Sequence, residues 1–198
     1  MARFTKLLVA NRGEIALRVM RTARQMGLQV VAVYTDADAD APHVAFADQA
    51  VRIGAGPVGD SSLSVEKILA AAAETGAGAV HPGYGFLSEN AGFVAACQKA
   101  GLIFVGPPAR AVEVMGNKAA AKRRMIAAGV PCVPGYEGED QSLETLQAEA
   151  DQIGYPVMIK AAAGGGGRGM RLVANAPEFA ATLATARSEA MNAFGSDE

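Results

Sequence analysis

Apolar residues in the first part of the chain alternate between the spacing of strands and the spacing of helices. Short apolar runs predict strands, and they lie at residues 6–10, 29–34, 79–81 and 102–105. Between them, apolar positions at helical spacing predict helices over residues 13–26, 65–73 and 90–100. This alternation is typical of an α/β fold, in which helices flank an open parallel sheet. Because Gly106-Pro107-Pro108 interrupts it, we predict a first domain over residues 1–107.

The second part of the chain, residues 108–198, has a different order of elements. Helical spacing predicts one helix over residues 117–128, one that begins after Ser142, and one over residues 177–193. Apolar runs at 157–161 and 170–173 predict two strands joined by a glycine-rich tip. No further strand follows to complete this sheet, so we expect an incomplete second domain over residues 108–198.

Composition and charge narrow the range of partners. Lys plus Arg is 18 and Asp plus Glu is 20, which gives a net charge of −2. Proteins that bind nucleic acid through the phosphate backbone carry a basic surplus, so we expect no nucleic acid partner. No apolar run approaches the length of about 20 residues that crosses a membrane, so we expect no membrane span. The first apolar run is interpreted as a strand of the mature fold rather than a signal peptide.

The two cysteines and the acidic residues bear on compartment and metal binding. Cys97 and Cys132 have neither metal-ligand spacing nor the pattern of a disulfide framework, so we expect a reducing, cytoplasmic location. Aspartates at positions 36, 38 and 40 alternate as in a calcium loop. The glycine and the final acidic residue that such a loop requires are absent, so we predict no metal site in this chain.

The strongest chemical signal is the segment VMIKAAAGGGGRGM, residues 157–170. Consecutive glycines are costly to order, but they let backbone N–H groups approach an anion closely. Lys160, at the end of the first strand, can reach the same anion, and Arg168 adds a second positive charge at the tip. Together these residues predict a lid over a polyphosphate. The alternative is a hairpin tip without a function.

Other nucleotide-binding glycine loops do not fit this segment. A Walker loop requires Gly-Lys-Ser/Thr at the start of a helix, and that sequence is absent. Gly164, Gly166 and Gly169 satisfy G-x-G-x-x-G, but a strand is predicted to follow instead of a helix. A protein-kinase loop has its lysine on the strand after the loop, whereas Lys160 precedes it.

A second candidate site is HPGYGFLSEN, residues 81–90, between a predicted strand and a predicted helix. This position is the carboxyl edge of the sheet, where open α/β folds hold ligands. The glycines expose backbone around Tyr84, and Ser88 is placed to cap the next helix, with Glu89 and Asn90 in its first turn. The alternative is a well-capped structural turn in which His81 has a structural role.

Five blocks of the sequence resemble the biotin carboxylase component of biotin-dependent carboxylases. In chain order they are LLVANRGEIALRV, HPGYGFLSEN, IFVGP, MGNKAAAK and VMIKAAAGGGGRGMR, and the similarity spans essentially the whole chain. The methylcrotonyl-, geranyl- and propionyl-CoA carboxylase subunits share this pattern, and all three remain open. The resemblance implies a pre-ATP-grasp domain with a Rossmann-like open parallel sheet, followed by the truncated start of an ATP-grasp domain.

The resemblance also implies a reaction and partners. In this family ATP and bicarbonate give carboxyphosphate and ADP, with Mg²⁺, and the carboxyl group then passes to biotin on a carrier protein. The implied partners are the biotin carboxyl carrier domain and a carboxyltransferase, and the full-length protein is expected to be a homodimer. The family's catalytic base, its bicarbonate-binding arginine and its magnesium ligands are expected beyond residue 198. We therefore expect residues 1–198 alone to be inactive and to bind ATP weakly or not at all.

Individual residues acquire roles through the same resemblance. Those expected to bind ATP are Lys118 and Lys160 on the phosphates, Gly165, Gly166 and Gly167 in the lid, and Met170 near the adenine. Those expected near biotin are Tyr84 and Gly85, with His81 and Glu89 shaping that edge. Arg18 and Arg21 lie on a helix that resembles the family's dimer helix. Two positions depart from the family pattern: Gln25 stands where an acidic residue is expected, and Ala163 replaces one glycine of the longest form of the lid.

Two other hypotheses remain beside an enzyme segment. A naturally short chain could serve as a non-catalytic assembly module that docks through helix 13–26. Another ATP-grasp ligase, acting on an amino acid or purine intermediate, would share Lys160 and the glycine lid but not HPGYGFLSEN.

Overall fold

The computed structural model describes residues 4–116, 118–162 and 169–197. The chain divides into two units, Met1–Glu113 and Val114–Glu198, each with its own hydrophobic core. The division falls inside a helix that begins at Ala109. The domain boundary at 107/108 stays a prediction, because a division into packed units does not define the domains of a longer protein.

Five parallel strands form the sheet of the first unit. They are β1 (Lys6–Val9), β2 (Gln29–Thr35), β3 (Gln49–Gly54), β4 (Ala79–His81) and β5 (Ile103–Phe104). Their order in the sheet is β3-β2-β1-β4-β5, so β1 pairs with β2 on one side and with β4 on the other. The parallel sheet expected from the alternation of strands and helices is therefore confirmed.

The edge strand β3 does not follow from the apolar pattern. Its residues alternate only weakly, and Gln49, Ala50 and Arg52 are exposed while Ile53 is buried. Arg52 forms an ion pair with Asp36, whose Oδ2 lies 2.8 Å from a guanidinium nitrogen. Edge strands tolerate such polar positions because one side faces solvent.

Helices cover both faces of this sheet. They are α1 (Gly13–Gln25), α2 (Pro42–Phe46), α3 (Val65–Thr75) and α4 (Ala91–Lys99); a further helix, α5 (Ala109–Gly116), follows β5 in the chain. One core packs beneath α3 and α4 and includes Leu8, Val31, Ile68 and Phe93. The opposite core packs beneath α1 and includes Leu7, Val9, Met20 and Val30. Successive residues of β1 and β2 thus point into two different cores, which explains why their buried stretches, residues 7–9 and 30–33, are apolar at every position.

The first turn of α1 is attached to α2 by a buried histidine that the apolar pattern does not reveal. The side chain of His43 is 0% exposed. Its Nδ1 accepts a hydrogen bond from the backbone N–H of Gly13 at 3.3 Å, so the proton lies on Nε2, which faces the carbonyl of Val33 at 3.4 Å. Burial lowers the pKa of His43, although the Val33 carbonyl and the charge of Asp38 act in the opposite direction. The neutral ring is therefore the form that holds α1 in place.

The second unit contains three helices and a hairpin within residues 118–162 and 169–197. They are α6 (Lys118–Ala127), α7 (Leu143–Ile153), β6 (Val157–Lys160), β7 (Met170–Val173) and α8 (Phe179–Phe194). The hairpin is antiparallel, and its core is formed by Ala150, Val173, Phe179 and Leu183. The Ser142 hydroxyl accepts a hydrogen bond from the N–H of Thr145, so the predicted start of α7 is confirmed.

Helix α5 was obscured in the sequence by the prolines before it. Pro107 and Pro108 predict a linker, yet proline is also favoured just at the start of a helix. The carbonyl of Pro108 accepts hydrogen bonds from Ala111 and Val112 at 2.9 and 3.1 Å. Throughout the described ranges, every helix is too short or too polar to cross a membrane.

The two histidines predict a specific pH dependence of stability. The chain contains two histidines, and the pKa of both His43 and His81 is lowered in the folded protein. The unfolded chain therefore binds protons more readily once the pH falls through the ordinary histidine pKa of about 6.5. We expect the free energy of unfolding to decrease from pH 7 to pH 5, and His43→Asn to reduce that slope, as measured by urea unfolding at several pH values.

His81→Asn provides the comparison, since it removes the other histidine. Carboxylates with a lowered pKa, such as Asp36 and Asp48, lose their stabilising effect only as the pH falls through and below their ordinary value, and so do not produce a slope between pH 7 and 5. An unchanged slope in the His43→Asn, His81→Asn double variant would contradict this explanation.

Candidate functional site

The loop after β4 lies at the carboxyl edge of the first sheet, as expected for HPGYGFLSEN. His81 is the last residue of β4, and α4 begins at Ala91. Three of the four residues 83–86 have a positive φ: 67° at Gly83, 70° at Gly85 and 45° at Phe86. Phe86 is the single non-glycine residue with positive φ in the described ranges. This backbone path holds Tyr84 outward, with 52% of its surface exposed.

Arginines of the first strand-to-helix turn and of α1 flank the aromatic residues of this loop. The guanidinium carbon of Arg18 lies 6.0 Å from the ring centroid of Tyr84, and that of Arg12 lies 5.6 Å from the ring centroid of Phe86. Such cation–π contacts stabilise the rings at their exposed positions. The edge therefore combines an exposed aromatic ring with positive charge.

His81 has a structural contact within the loop. Its Nδ1 accepts a hydrogen bond from the N–H of Gly83 at 2.9 Å. Burial lowers the pKa of His81, and the positive charge of Arg18 lowers it further. The ring is therefore neutral near pH 7 and shapes the turn. Glu89, also expected at this edge, is exposed at the end of the loop.

The predicted cap of α4 was wrong. Ser88 does not cap this helix; its backbone N–H instead donates to the carbonyl of Gly85 at 3.0 Å as part of the turn. Asn90 is the N-cap, and its Oδ1 accepts a hydrogen bond from the N–H of Phe93 at 2.9 Å. The helix begins one residue later than predicted, because the turn uses the residues up to Leu87 and Asn90 caps as effectively as serine.

The hairpin of the second unit presents an exposed face around Lys160. Pairing in the hairpin places Lys160 opposite Met170 and Met158 opposite Leu172, so all four residues share one face. The three apolar members, Met158, Met170 and Leu172, are 44%, 41% and 61% exposed. Val157, Ile159 and Val173 lie on the other face, against the core. Exposed apolar side chains beside a lysine can contact the aromatic ring of a ligand while the lysine binds its anionic group.

Several predicted residues fall outside the described residues. They are Gly165, Gly166 and Gly167 of the lid, together with Ala163, Gly164 and Arg168. Lys118 begins α6, but its side chain also lies outside the described part. Their roles in binding ATP stay predictions.

The helix predicted to form a dimer contact is present as α1. Arg18 and Arg21 are both exposed on it. Arg18 also contacts the ring of Tyr84, so the same helix face borders the loop at the carboxyl edge. A dimer contact for these arginines stays a prediction.

Within the described ranges, the cysteines and acidic residues show no arrangement suited to metal binding. Among the described residues, no group of three or more His, Cys, Asp and Glu side chains could hold a metal ion. Cys97 is buried, and burial raises the pKa of its thiol to about 11, so it is unreactive. Cys132 is a free, exposed cysteine.

Comparison with known families settles the relationship of the chain. The family model of the biotin carboxylase N-terminal domain matches residues 3–112. The chain belongs to the biotin carboxylase family. The remainder, residues 117–198, matches the ATP-binding domain of the carbamoyl-phosphate synthase L chain.

Related proteins agree with membership of the biotin carboxylase family. The mitochondrial methylcrotonoyl-CoA carboxylase subunit alpha of Glycine max is 56% identical over 98% of this chain, and the chloroplastic biotin carboxylase of Arabidopsis thaliana is 55% identical over 97%. The chain spans 26% and 36% of the length of these two relatives.

A crystal structure gives the corresponding structural similarity. It is the biotin carboxylase domain dimer of the Hydrogenobacter thermophilus 2-oxoglutarate carboxylase, in complex with MgADP, ADP and bicarbonate. It matches with a TM-score of 0.93 and 47% identity over 100% of this chain and 43% of that one. The predicted fold class, a pre-ATP-grasp domain followed by the start of an ATP-grasp domain, is confirmed by this similarity and by the two family matches.

Two residues of this biotin carboxylase segment escaped the sequence analysis. His43 and Asn11 are buried and hydrogen-bonded to backbone groups at the carboxyl edge of the sheet. The only available signal for Asn11 was a polar residue directly after an apolar strand, in ANRGE. No pattern indicated His43, because its partner Gly13 is distant in sequence.

The position of the α4 cap can be tested by paired substitutions. Asn90→Ala removes the acceptor for the Phe93 N–H and should lower the free energy of unfolding by about 1 kcal/mol. Ser88→Ala is the matched control and should change it by less than about 0.5 kcal/mol, as expected for a side chain without such a role. Urea unfolding of both variants measures the difference, and equal losses would show that Ser88 contributes to the cap.

Proposed function

We propose that this chain is the N-terminal part of a biotin carboxylase, which uses ATP and bicarbonate to carboxylate biotin on a carrier protein within an acyl-CoA carboxylase. One observation carries the proposal: a biotin carboxylase N-terminal domain and an ATP-binding domain follow each other in one chain. The solved relative holds MgADP and bicarbonate, which are a product complex and a substrate of such a reaction.

ATP would bind at the exposed hairpin face and the adjoining lid. Lys160 would contact the phosphates as a point charge, while Met170, its cross-strand partner, would contact the adenine. Lys118 would supply a second cation, and the lid glycines Gly165, Gly166 and Gly167 would give backbone N–H groups. The exposed, apolar character of the hairpin face supports this placement.

Biotin would approach the carboxyl edge of the first sheet. Tyr84 is exposed there, and at Gly85 an added Cβ would meet nothing within 4 Å, so the backbone is open to a ligand. His81 and Glu89 would shape this edge, with His81 fixing the turn through Gly83. Biotin itself would be presented by the carrier protein as a substrate.

Magnesium would be held mainly by the rest of the protein. The described residues contain no cluster of side chains that fits a metal ion. When bound with ATP, Mg²⁺ would neutralise phosphate charge in the transfer to bicarbonate. What this chain contributes is electrostatic stabilisation and orientation of the triphosphate by its lysines and backbone.

Partners and compartment follow from the same family. The biotin carboxyl carrier domain would accept the carboxyl group and pass it to a carboxyltransferase; the Glycine max relative is named as one subunit of a carboxylase, which supports a partner of this kind. A homodimer would form through α1 with Arg18 and Arg21, in line with the dimer of the solved relative. The free cysteines favour a reducing compartment, and we propose the cytoplasm.

The role of Lys160 can be measured in the full-length protein. Lys160→Ala removes a charge-assisted contact worth about 1.5–3 kcal/mol, so the affinity for ATP should fall roughly 10- to 100-fold. Lys99→Ala, at an exposed lysine at the end of α4, is the matched control and should leave ATP affinity unchanged. Calorimetric titration with ATP provides the measurement, and equal affinities for Lys160→Ala and the parent protein would exclude this role.

Biotin distinguishes the proposed reaction from that of another ATP-grasp ligase. The full-length protein should hydrolyse ATP in the presence of bicarbonate, and free biotin should stimulate this turnover. The 198-residue chain alone should show no such turnover, since it spans only 26% and 36% of the length of the two relatives above. ATP turnover that responds to an amino acid or a purine intermediate but not to biotin would favour the other ligase. Biotin-stimulated turnover by the 198-residue chain would refute the expectation that this chain holds only part of the active site.

A further inference from the structure

The crevice between β1 and β4 is filled by a side chain of the protein itself. From β1 the chain adds β2 and β3 on one side and later β4 and β5 on the other, so the strand order reverses between β1 and β4. Open α/β sheets bind ligands in the crevice at such a reversal. Here Asn11, two residues after β1, occupies it and is only 2% exposed.

The carboxamide of Asn11 joins the two loops that border the crevice. Its Nδ2 donates to the carbonyl of Pro82 at 2.8 Å and to the carbonyl of Tyr84 at 3.0 Å. Its Oδ1 accepts from the N–H of Arg12 at 3.0 Å. Two carbonyl partners require two N–H donors, so the orientation of the amide is determined by its neighbours. Both donor hydrogens serve the loop that carries Tyr84.

Gly83 permits this contact by its lack of a side chain. A Cβ at Gly83 would lie 2.6 Å from Nδ2 of Asn11 and 2.9 Å from Cγ2 of Ile15, closer than atoms can approach. Its φ of +67° is also a conformation that residues with a Cβ avoid. The N–H of Gly83 is held in turn by Nδ1 of His81 at 2.9 Å. The loop is thus held at Gly83, by the close approach of Asn11 on one side and by the hydrogen bond to His81 on the other.

We infer that Asn11 is the positioning residue of the biotin-proximal loop: by bonding the carbonyls of Pro82 and Tyr84, it sets where Tyr84 and Gly85 meet biotin. This inference rests on the proposed function. Asn11 itself is covered by the loop and acts through it rather than on the substrate. Because the hairpin of the second unit does not share these hydrogen bonds, the effect concerns biotin and not ATP.

Asn11→Asp in the full-length protein tests this inference. The substitution keeps the shape and the acceptor for Arg12, but it removes both donors and sets a carboxylate against two carbonyl oxygens. We expect the KM for free biotin to rise about tenfold or more, and the KM for ATP to change less than about twofold, given the cost of losing buried hydrogen bonds. Asn175→Asp is the matched control, because that asparagine is exposed and its side-chain amide donates to the carboxylate of Glu178.

Gly83→Ala gives a second, independent route to the same displacement. It leaves Asn11 intact but drives a methyl group against its amide, so it should raise the KM for biotin selectively as well. Thermal unfolding of each variant shows whether it is folded. If Asn11→Asp does not fold, Gly83→Ala decides the matter.

The outcomes separate this inference from the proposed function. If the parent protein shows no biotin-stimulated ATP turnover, the proposed function is wrong, and the inference is lost with it. If the parent is stimulated by biotin while folded variants keep its biotin KM, the inference is overturned and the proposed function stands. An equal rise in the KM values for biotin and ATP would show a general structural role for Asn11 and would also overturn it.

Discussion

The pairing of β1 with neighbours on both sides is the constraint on which the first unit depends. β1 is hydrogen-bonded to β2 and β4, and its residues Leu8 and Val9 are completely buried in opposite cores. This pairing brings the turn after β1 and the loop after β4 to one edge, although about 70 residues separate them in the chain. The contacts of Asn11 and Arg18 with the loop are possible only because these two strands are neighbours in register.

The hairpin of the second unit uses register in a comparable way. Side chains alternate between the faces of a strand, so the antiparallel pairing of Lys160 with Met170 determines which residues share the outer face. The inner face is fixed by packing of Val157 and Val173 on the helices. A slip by one residue would bury Lys160 and expose the core, and hydrophobic burial therefore determines the orientation of the lysine.

The sequence predicts the fold well where apolar patterns are strong, and less well where polar contacts determine the local structure. β1, β2 and the helices α1 and α3 follow from apolar spacing because their residues fill the two cores. β3 escapes such reasoning because an edge strand buries few of its side chains. The cap of α4 was misplaced by two residues, since serine and asparagine cap equally well and only the shape of the preceding turn chooses between them. The glycine-rich segment and the turn after β4 singled out Lys160 and Tyr84 as candidates, and the family resemblance added Met170, but Asn11 and His43 required knowledge of which distant backbone groups they meet.

The filled crevice between β1 and β4 has a consequence for which part of the chain can bind a phosphate group. In dinucleotide-binding folds with this strand order, that crevice is left open by glycines and accepts a pyrophosphate. Here Oδ1 of Asn11 accepts from the N–H of Arg12, and Nδ1 of His43 accepts from the N–H of Gly13, so backbone donors at the start of α1 that could bind a phosphate are already used. The first sheet therefore holds the loop after β4 in place, and the match to an ATP-binding domain falls on residues 117–198 instead.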